Sequence, residues 1–197
     1  QAVNLLLLKK EIRIFWDFES ETRSDWLLEH YGIGKNLVPD LVGTFSTQGE
    51  VSQKGSDESG LALGTPILYR AGDQPNNALS LNVFEPGEVA ATGGTSGVVY
   101  AVTENLSSKE STRVNNFAHV NYDTSNTRIG KLLCINGAGI MYRWLLNNLA
   151  VSSYEEMNEL ATSVPIGSDG VTVHPFGNGA ERMLNNTTLG TQVSNVN

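Results

Sequence analysis

Between residues 86 and 103 the chain carries a pattern with few structural solutions. Pro86-Gly87 reads as a turn, residues 88–92 and 97–103 read as strands, and Gly93-Gly94-Thr95-Ser96 joins them. A short glycine-rich connection between two strand patterns makes a hairpin, so any fold adopted here contains antiparallel sheet. Upstream the rhythm is different. A helix is expected over 24–30, capped by Ser24, ended by Gly32, and with Trp26, Leu27 and Tyr31 near one face. Residues 50–61 read as a strand end and a short amphipathic helix, and 67–69 as a buried strand. A helix over 75–83 then follows, with Pro75 tolerated in its first turn. Downstream, 117–122, 131–135 and 171–174 read as strands. Helices are expected over 139–148 and 153–162, the latter with Ser153 as cap and Glu156 at the capping-box position. Strands alternating with helices around a central hairpin predict an α/β chain with a mixed sheet. The natural boundary is Pro86-Gly87, which separates 1–86 from 87–197.

Composition narrows the function classes. The 197 residues, 40% of them hydrophobic, suffice for a real core. A formal net charge of −8 with no basic stripe argues against a nucleic-acid partner. It does not exclude a nucleotide, because backbone N–H groups and a magnesium ion can hold phosphate. The single cysteine, Cys134, rules out an internal disulfide and fits a reducing, cytoplasmic compartment. It sits in the apolar run 132–135, where burial is expected. No stretch approaches the roughly 20 apolar residues of a membrane span. The run 3–8 is a poor signal peptide, since its lysines follow it. His30, His119 and His174 lack metal-ligand spacing, and no Gly-x-Ser-x-Gly elbow supports hydrolase chemistry.

Four segments carry chemical possibilities. In Tyr69-Arg70-Ala71-Gly72-Asp73-Gln74-Pro75-Asn76-Asn77, a carboxylate follows a strand, at the sheet edge where α/β folds bind ligands. Asp73, Gln74, Asn76 and Asn77 can hydrogen-bond a polyol, but Asp73 reads equally well as a helix N-cap. In Thr92-Gly93-Gly94-Thr95-Ser96-Gly97, small residues expose N–H groups and hydroxyls suited to phosphate, or simply close a hairpin. No lysine follows, so this is not a Walker A loop. Asn136-Gly137-Ala138-Gly139 opens the helix bearing Arg143 and Trp144, and its glycines serve either close approach of a ligand or tight packing. In Phe176-Gly177-Asn178-Gly179-Ala180-Glu181-Arg182, the Glu-Arg pair reads as structural rather than as a substrate contact.

Taken in order, these segments resemble the FGGY carbohydrate kinases. Ala-Gly-Asp-Gln precedes a helix and a Pro-Gly turn, and Gly-Thr-Ser-Gly follows a strand. A Gly-x-Gly helix with Arg-Trp-Leu, the run YEEMNELATSVP and a Gly-Ala-Glu-Arg loop come later. The resemblance runs from Phe15 to Arg182, and within the family it is to xylulokinases. It implies a partial actin-like ATPase (ribonuclease H-like) fold, with 1–86 ending the N-terminal domain and 87–197 starting the C-terminal one. It implies ATP and Mg2+ as cofactors and transfer of the γ-phosphate to a ketopentose such as D-xylulose. Asp73 is then the general base and Gln74 a sugar contact. Gly94, Thr95 and Ser96 line the phosphate site, and Gly139 and Arg143 lie near ribose and adenine. The expected partners are a small sugar and ATP, with no nucleic acid and no membrane. The family's Asp-x-Gly-Thr loop and its Met-His or Gln-His segment are not in this sequence, the second domain's Gly-Gly nucleotide motif is expected beyond Asn197, and residues 1–14 fit poorly. About half of a full-length kinase is therefore expected to lie outside this chain. The competing expectation is a catalytically incomplete kinase fragment that acts only as a folded module or as a homodimerising one, without turnover.

Overall fold

The computed structural model describes residues 15–196, so the apolar run 3–8 lies outside the described residues. The strands are β1 Trp16–Asp17, β2 Thr22–Arg23, β3 Gly49–Glu50, β4 Pro66–Ile67, β5 Val89–Gly93, β6 Ser96–Thr103, β7 Asn115–Ala118, β8 Ile129–Asn136, β9 Thr172–His174 and β10 Gln192–Ser194. The α-helices are α1 Asp25–His30, α2 Gln53–Ser59, α3 Asp73–Ser80, α4 Ala138–Asn148 and α5 Tyr154–Thr162. Two compact units share the chain. The first holds the described residues up to 88, with 102–106 and 116–130, and the second holds 89–101, 107–115 and 131 onward.

In the first unit, β1 and β2 form a small antiparallel ribbon, with Trp16 opposite Arg23. Helix α1 begins as its sequence dictates: Ser24 Oγ accepts the Leu27 N–H at 3.4 Å, and Asp25 sits at the positive end. Gly32 ends it in the left-handed region, φ +64°. Its buried residue is Leu28, packed with Val38, Phe15 and Ile33. Trp26 and Tyr31 are 67% and 68% exposed, so the apolar face lies one residue away from the expected one. Helix α2 has no buried residue and is not amphipathic; Ser52 Oγ accepts the Gly55 N–H at its start and Gly60 ends it in the left-handed region. Strand β4 pairs only with β3. A two-stranded ribbon covers neither face, so Ile67 and Leu68, expected to be buried, are 38% and 55% exposed. His119 is fully buried, a ring nitrogen 3.0 Å from the Val83 carbonyl. The expected strand 117–122 stops at Ala118, because the chain turns there and Tyr122 N–H donates to the His119 carbonyl at 3.0 Å.

In the second unit the central hairpin forms as expected. β5 and β6 are antiparallel, from Val89 opposite Ala101 to Gly93 opposite Gly97, and Ala90 and Tyr100 face each other, both buried. On its other side β6 neighbours β8. Tyr142 of α4 stacks on Tyr154 of α5 at 5.0 Å and donates to Asn158 Oδ1 at 2.5 Å. Ser153 caps α5, but Glu156 reaches past it to the Ser152 N–H at 2.7 Å. That backbone bond, with the Ser152 hydroxyl, holds the Glu156 carboxyl below its ordinary range. Cys134, expected to be buried, is half-buried, with Sγ 3.7 Å from Asn136 Oδ1. Strand β10, antiparallel to β9, has no counterpart in the sequence reading.

Candidate active site

Asp73 is the first residue of α3, not its cap. Gly72 occupies the N-cap position in extended backbone and makes no side-chain cap bond. The exposed Asp73 carboxylate accepts the Gln74 N–H through Oδ1 at 2.9 Å, and among the described residues Oδ2 accepts nothing. Pro75 is buried in the first turn, which fixes the helix start. The neighbouring amides are not equivalent. Asn76 Oδ1 accepts the Tyr69 hydroxyl at 2.8 Å, whereas Gln74 stays half-buried.

The other three segments come together in the second unit. At the hairpin tip, Gly94 N–H donates to the Ser96 carbonyl at 3.1 Å, and Ser96 Oγ donates to Asn136 Oδ1 at 3.1 Å. The Thr95 carbonyl accepts N–H groups from both Gly139 and Ile140, at 3.2 and 3.3 Å. A Cβ at position 139 would collide with the Gly94 carbonyl oxygen. Gly137 is left-handed, φ +109°, and a Cβ there would collide with the Pro175 carbonyl. The turn 93–96, the start of α4 and the loop after β9 are thus packed backbone against backbone. Thr95 and Arg143 are exposed, and Arg143 has no ion-pair partner among the described residues. Arg182 donates to the Thr112 carbonyl at 3.1 Å and to Asn115 Oδ1, which makes it a structural tie. The Glu181 side chain lies outside the described atoms.

The first unit also contains a cavity of about 680 Å3, walled by Trp16, residues 39–44, Gln48, Arg70, Ala71, Gly72 and residues 118, 119 and 122–124. Sequence reading missed it. The cation beside Ala71-Gly72 was visible, but its burial was not. Among the described residues no cluster of three or more His, Cys, Asp or Glu is arranged to hold a metal, and no helix is long and apolar enough to cross a membrane.

No family model matches the chain. Known structures do. Glycerol kinase with ADP from Plasmodium falciparum aligns with 99% of this chain and 41% of its own, with a TM-score of 0.79 at 16% identity. Xylulose kinase from Rhodospirillum rubrum aligns with 93% of this chain and 36% of its own, with a TM-score of 0.76 at 23% identity. Gluconokinase of Bacillus subtilis is 28% identical over 167 residues. Autoinducer-2 kinase of Klebsiella pneumoniae is 28% identical over 163. The chain has part of the fold of these sugar kinases. The actin-like architecture expected of an FGGY kinase is therefore the one present. The aligned share is smaller than expected: the chain spans 31% of the gluconokinase and 30% of the autoinducer-2 kinase.

Proposed function

We propose that this chain is part of an ATP-dependent carbohydrate kinase with Asp73 as its general base. The observation that supports this is the state of the Asp73 carboxylate. It is exposed at a helix start, is not used as the cap, and keeps one oxygen unengaged among the described residues. In the reaction, Asp73 accepts the proton of a sugar hydroxyl as that oxygen attacks the γ-phosphorus and ADP leaves. Gln74 orients the sugar. At the phosphate site the exposed Thr95 is the best-placed donor, because Gly94 N–H and Ser96 Oγ are already engaged. Gly139 contributes by having no side chain, since Thr95 takes its N–H. Arg143, exposed on α4, is the group for ribose or adenine. Mg2+, when bound, neutralises developing phosphate charge. It is held mainly by the phosphates, and no protein ligand is assigned.

The acceptor we propose is a ketopentose such as D-xylulose, in line with the fold likeness to a xylulose kinase. Relatives named for gluconate and autoinducer-2 make these the competing acceptors to test. Residues 1–86 and 87–197 are read as the end of one kinase domain and the start of the next, in a cytoplasmic protein. A coupled ADP-release assay with D-xylulose, D-gluconate, autoinducer-2 and glycerol, on this chain and on the longest polypeptide containing it, tests the reading. Sugar-dependent ADP release that Asp73→Ala abolishes supports it, and release that survives the substitution refutes the base. A second reading, a homodimerising module without turnover, is favoured by the exposed apolar side chains Leu61, Leu63, Ile67 and Leu68. Sedimentation of a monomer at micromolar concentration would dispose of it.

A further inference from the structure

We infer that Asn178 is a site of spontaneous covalent modification, its amide converting to aspartate and isoaspartate through a ring closed by Gly179, while the fold protects the other Asn-Gly step, at Asn136. The sequence has two such steps, 136–137 and 178–179, and both lie in the second unit. In such a step the glycine nitrogen, with no side chain beside it, attacks the asparagine Cγ. An N–Cγ bond forms and the Cγ–Nδ2 bond breaks. Ammonia leaves with the proton that the glycine nitrogen gave up, and a succinimide remains. Water then opens the ring. Opening at Cγ gives aspartate, and opening at the backbone carbonyl gives isoaspartate, which adds a methylene to the main chain. Both products carry a negative charge that the amide lacked.

The two steps share this chemistry and differ in their surroundings. Asn136 ends β8. Its Oδ1 accepts the Ser96 hydroxyl at 3.1 Å and lies 3.7 Å from Cys134 Sγ. The Pro175 carbonyl oxygen fills the space beside Gly137 where a Cβ would stand. Turning the Asn136 carboxamide onto the Gly137 nitrogen therefore breaks a partly buried hydrogen bond and shifts backbone packed on backbone. Asn178 is exposed in the loop after β9, and its side chain makes no hydrogen bond among the described residues. Nothing lies within 4 Å of the Cβ position of Gly179. The Gly179 N–H donates to the Phe176 carbonyl at 2.9 Å, so attack follows the opening of that one turn. An exposed turn opens at far lower cost than a packed strand end.

The test is to hold the folded 197-residue chain in mildly alkaline buffer, digest samples over time, and follow both Asn-Gly peptides by mass spectrometry with isoaspartate quantification. It needs no turnover, so this inference and the kinase reading stand or fall separately. The Asn178 peptide should exchange its amide for an acid at least about tenfold faster than the Asn136 peptide, since only the latter must first give up its native contacts. In guanidinium the two should convert at similar rates. Asn178→Gln should stop conversion at its own peptide, and Ser96→Ala should speed it at Asn136. Circular dichroism checks the fold of each variant, and the wild-type comparison decides if one does not fold. Asn178 keeping its amide while the unfolded chain converts, or Asn136 converting as fast as Asn178 in the folded chain, overturns the proposal.

Discussion

Two helices in this chain begin at glycine, and they begin in opposite ways. At Gly72-Asp73 the start is open. The cap residue is in ordinary extended backbone, and a Cβ there would meet only Pro75 Cδ at 3.6 Å. At Gly137-Ala138-Gly139 the start is closed. The Thr95 carbonyl takes two of the first amides, and carbonyl oxygens of Gly94 and Pro175 occupy the space of absent side chains. The same motif type thus serves two ends. One leaves a carboxylate exposed for chemistry, and the other uses missing side chains to bring three segments of backbone into contact.

Substitutions break or sharpen that contrast. The largest effect is expected at the open start. In an active polypeptide, Asp73→Asn should lower kcat by about 10²–10⁴-fold with Tm nearly unchanged, read by ADP release and thermal melting. At the closed start, Gly139→Ala should cost about 2–3 kcal/mol in denaturant unfolding, because backbone on the other side must move. Ser96→Ala removes a partly buried hydrogen bond to Asn136 and should cost about 1 kcal/mol by the same measurement. Gly72→Ala should cost less than about 1 kcal/mol; a loss equal to that of Gly139→Ala would erase the distinction between the two starts. The smallest effect concerns pH. The Glu88 carboxylate accepts N–H groups from Glu85 and Phe84, at 2.9 and 2.7 Å, which hold its carboxyl below the ordinary range. Its contribution is present above the unfolded-state value and fades as pH falls through the lower folded-state one. Glu88→Gln should therefore flatten the acid limb of the stability curve, with carbon-detected NMR titration of Glu88 as the check.

Local signals carried well from sequence to structure. Ser24, Ser153 and Gly32 work as caps and stops, and the hairpin falls within a residue of its expected place. These features depend on neighbours in the chain. What failed depends on distant ones. The apolar triplet at 67–69 looks like an interior strand, yet its burial requires sheet neighbours that a ribbon with β3 does not supply. Trp26 and Leu28 are two positions apart, and only packing against Val38 decides which is inside. The site divides in the same way. Asp73 was legible as a carboxylate at a strand-to-helix junction, but whether it caps α3 turned on Gly72. The pairing of Trp16 with Arg70 in one cavity has no sequence signal at all, because it joins segments that only the fold brings together.

The carbonyl of Thr95 has a consequence for how the second unit is assembled. A helix ordinarily nucleates from its own sequence, at the cost of ordering a first turn before any bond repays it. Helix α4 instead has its first turn tied down by a hairpin tip far upstream, so its start cannot settle until that tip has closed. The two are therefore expected to open together as well. Amide protons of Gly139 and Ile140 should exchange with solvent at the pace of the hairpin rather than fray as a helix end does. Any motion that pulls the tip away strips two of the helix's first amides of their acceptor, which makes this junction a latch between strand and helix.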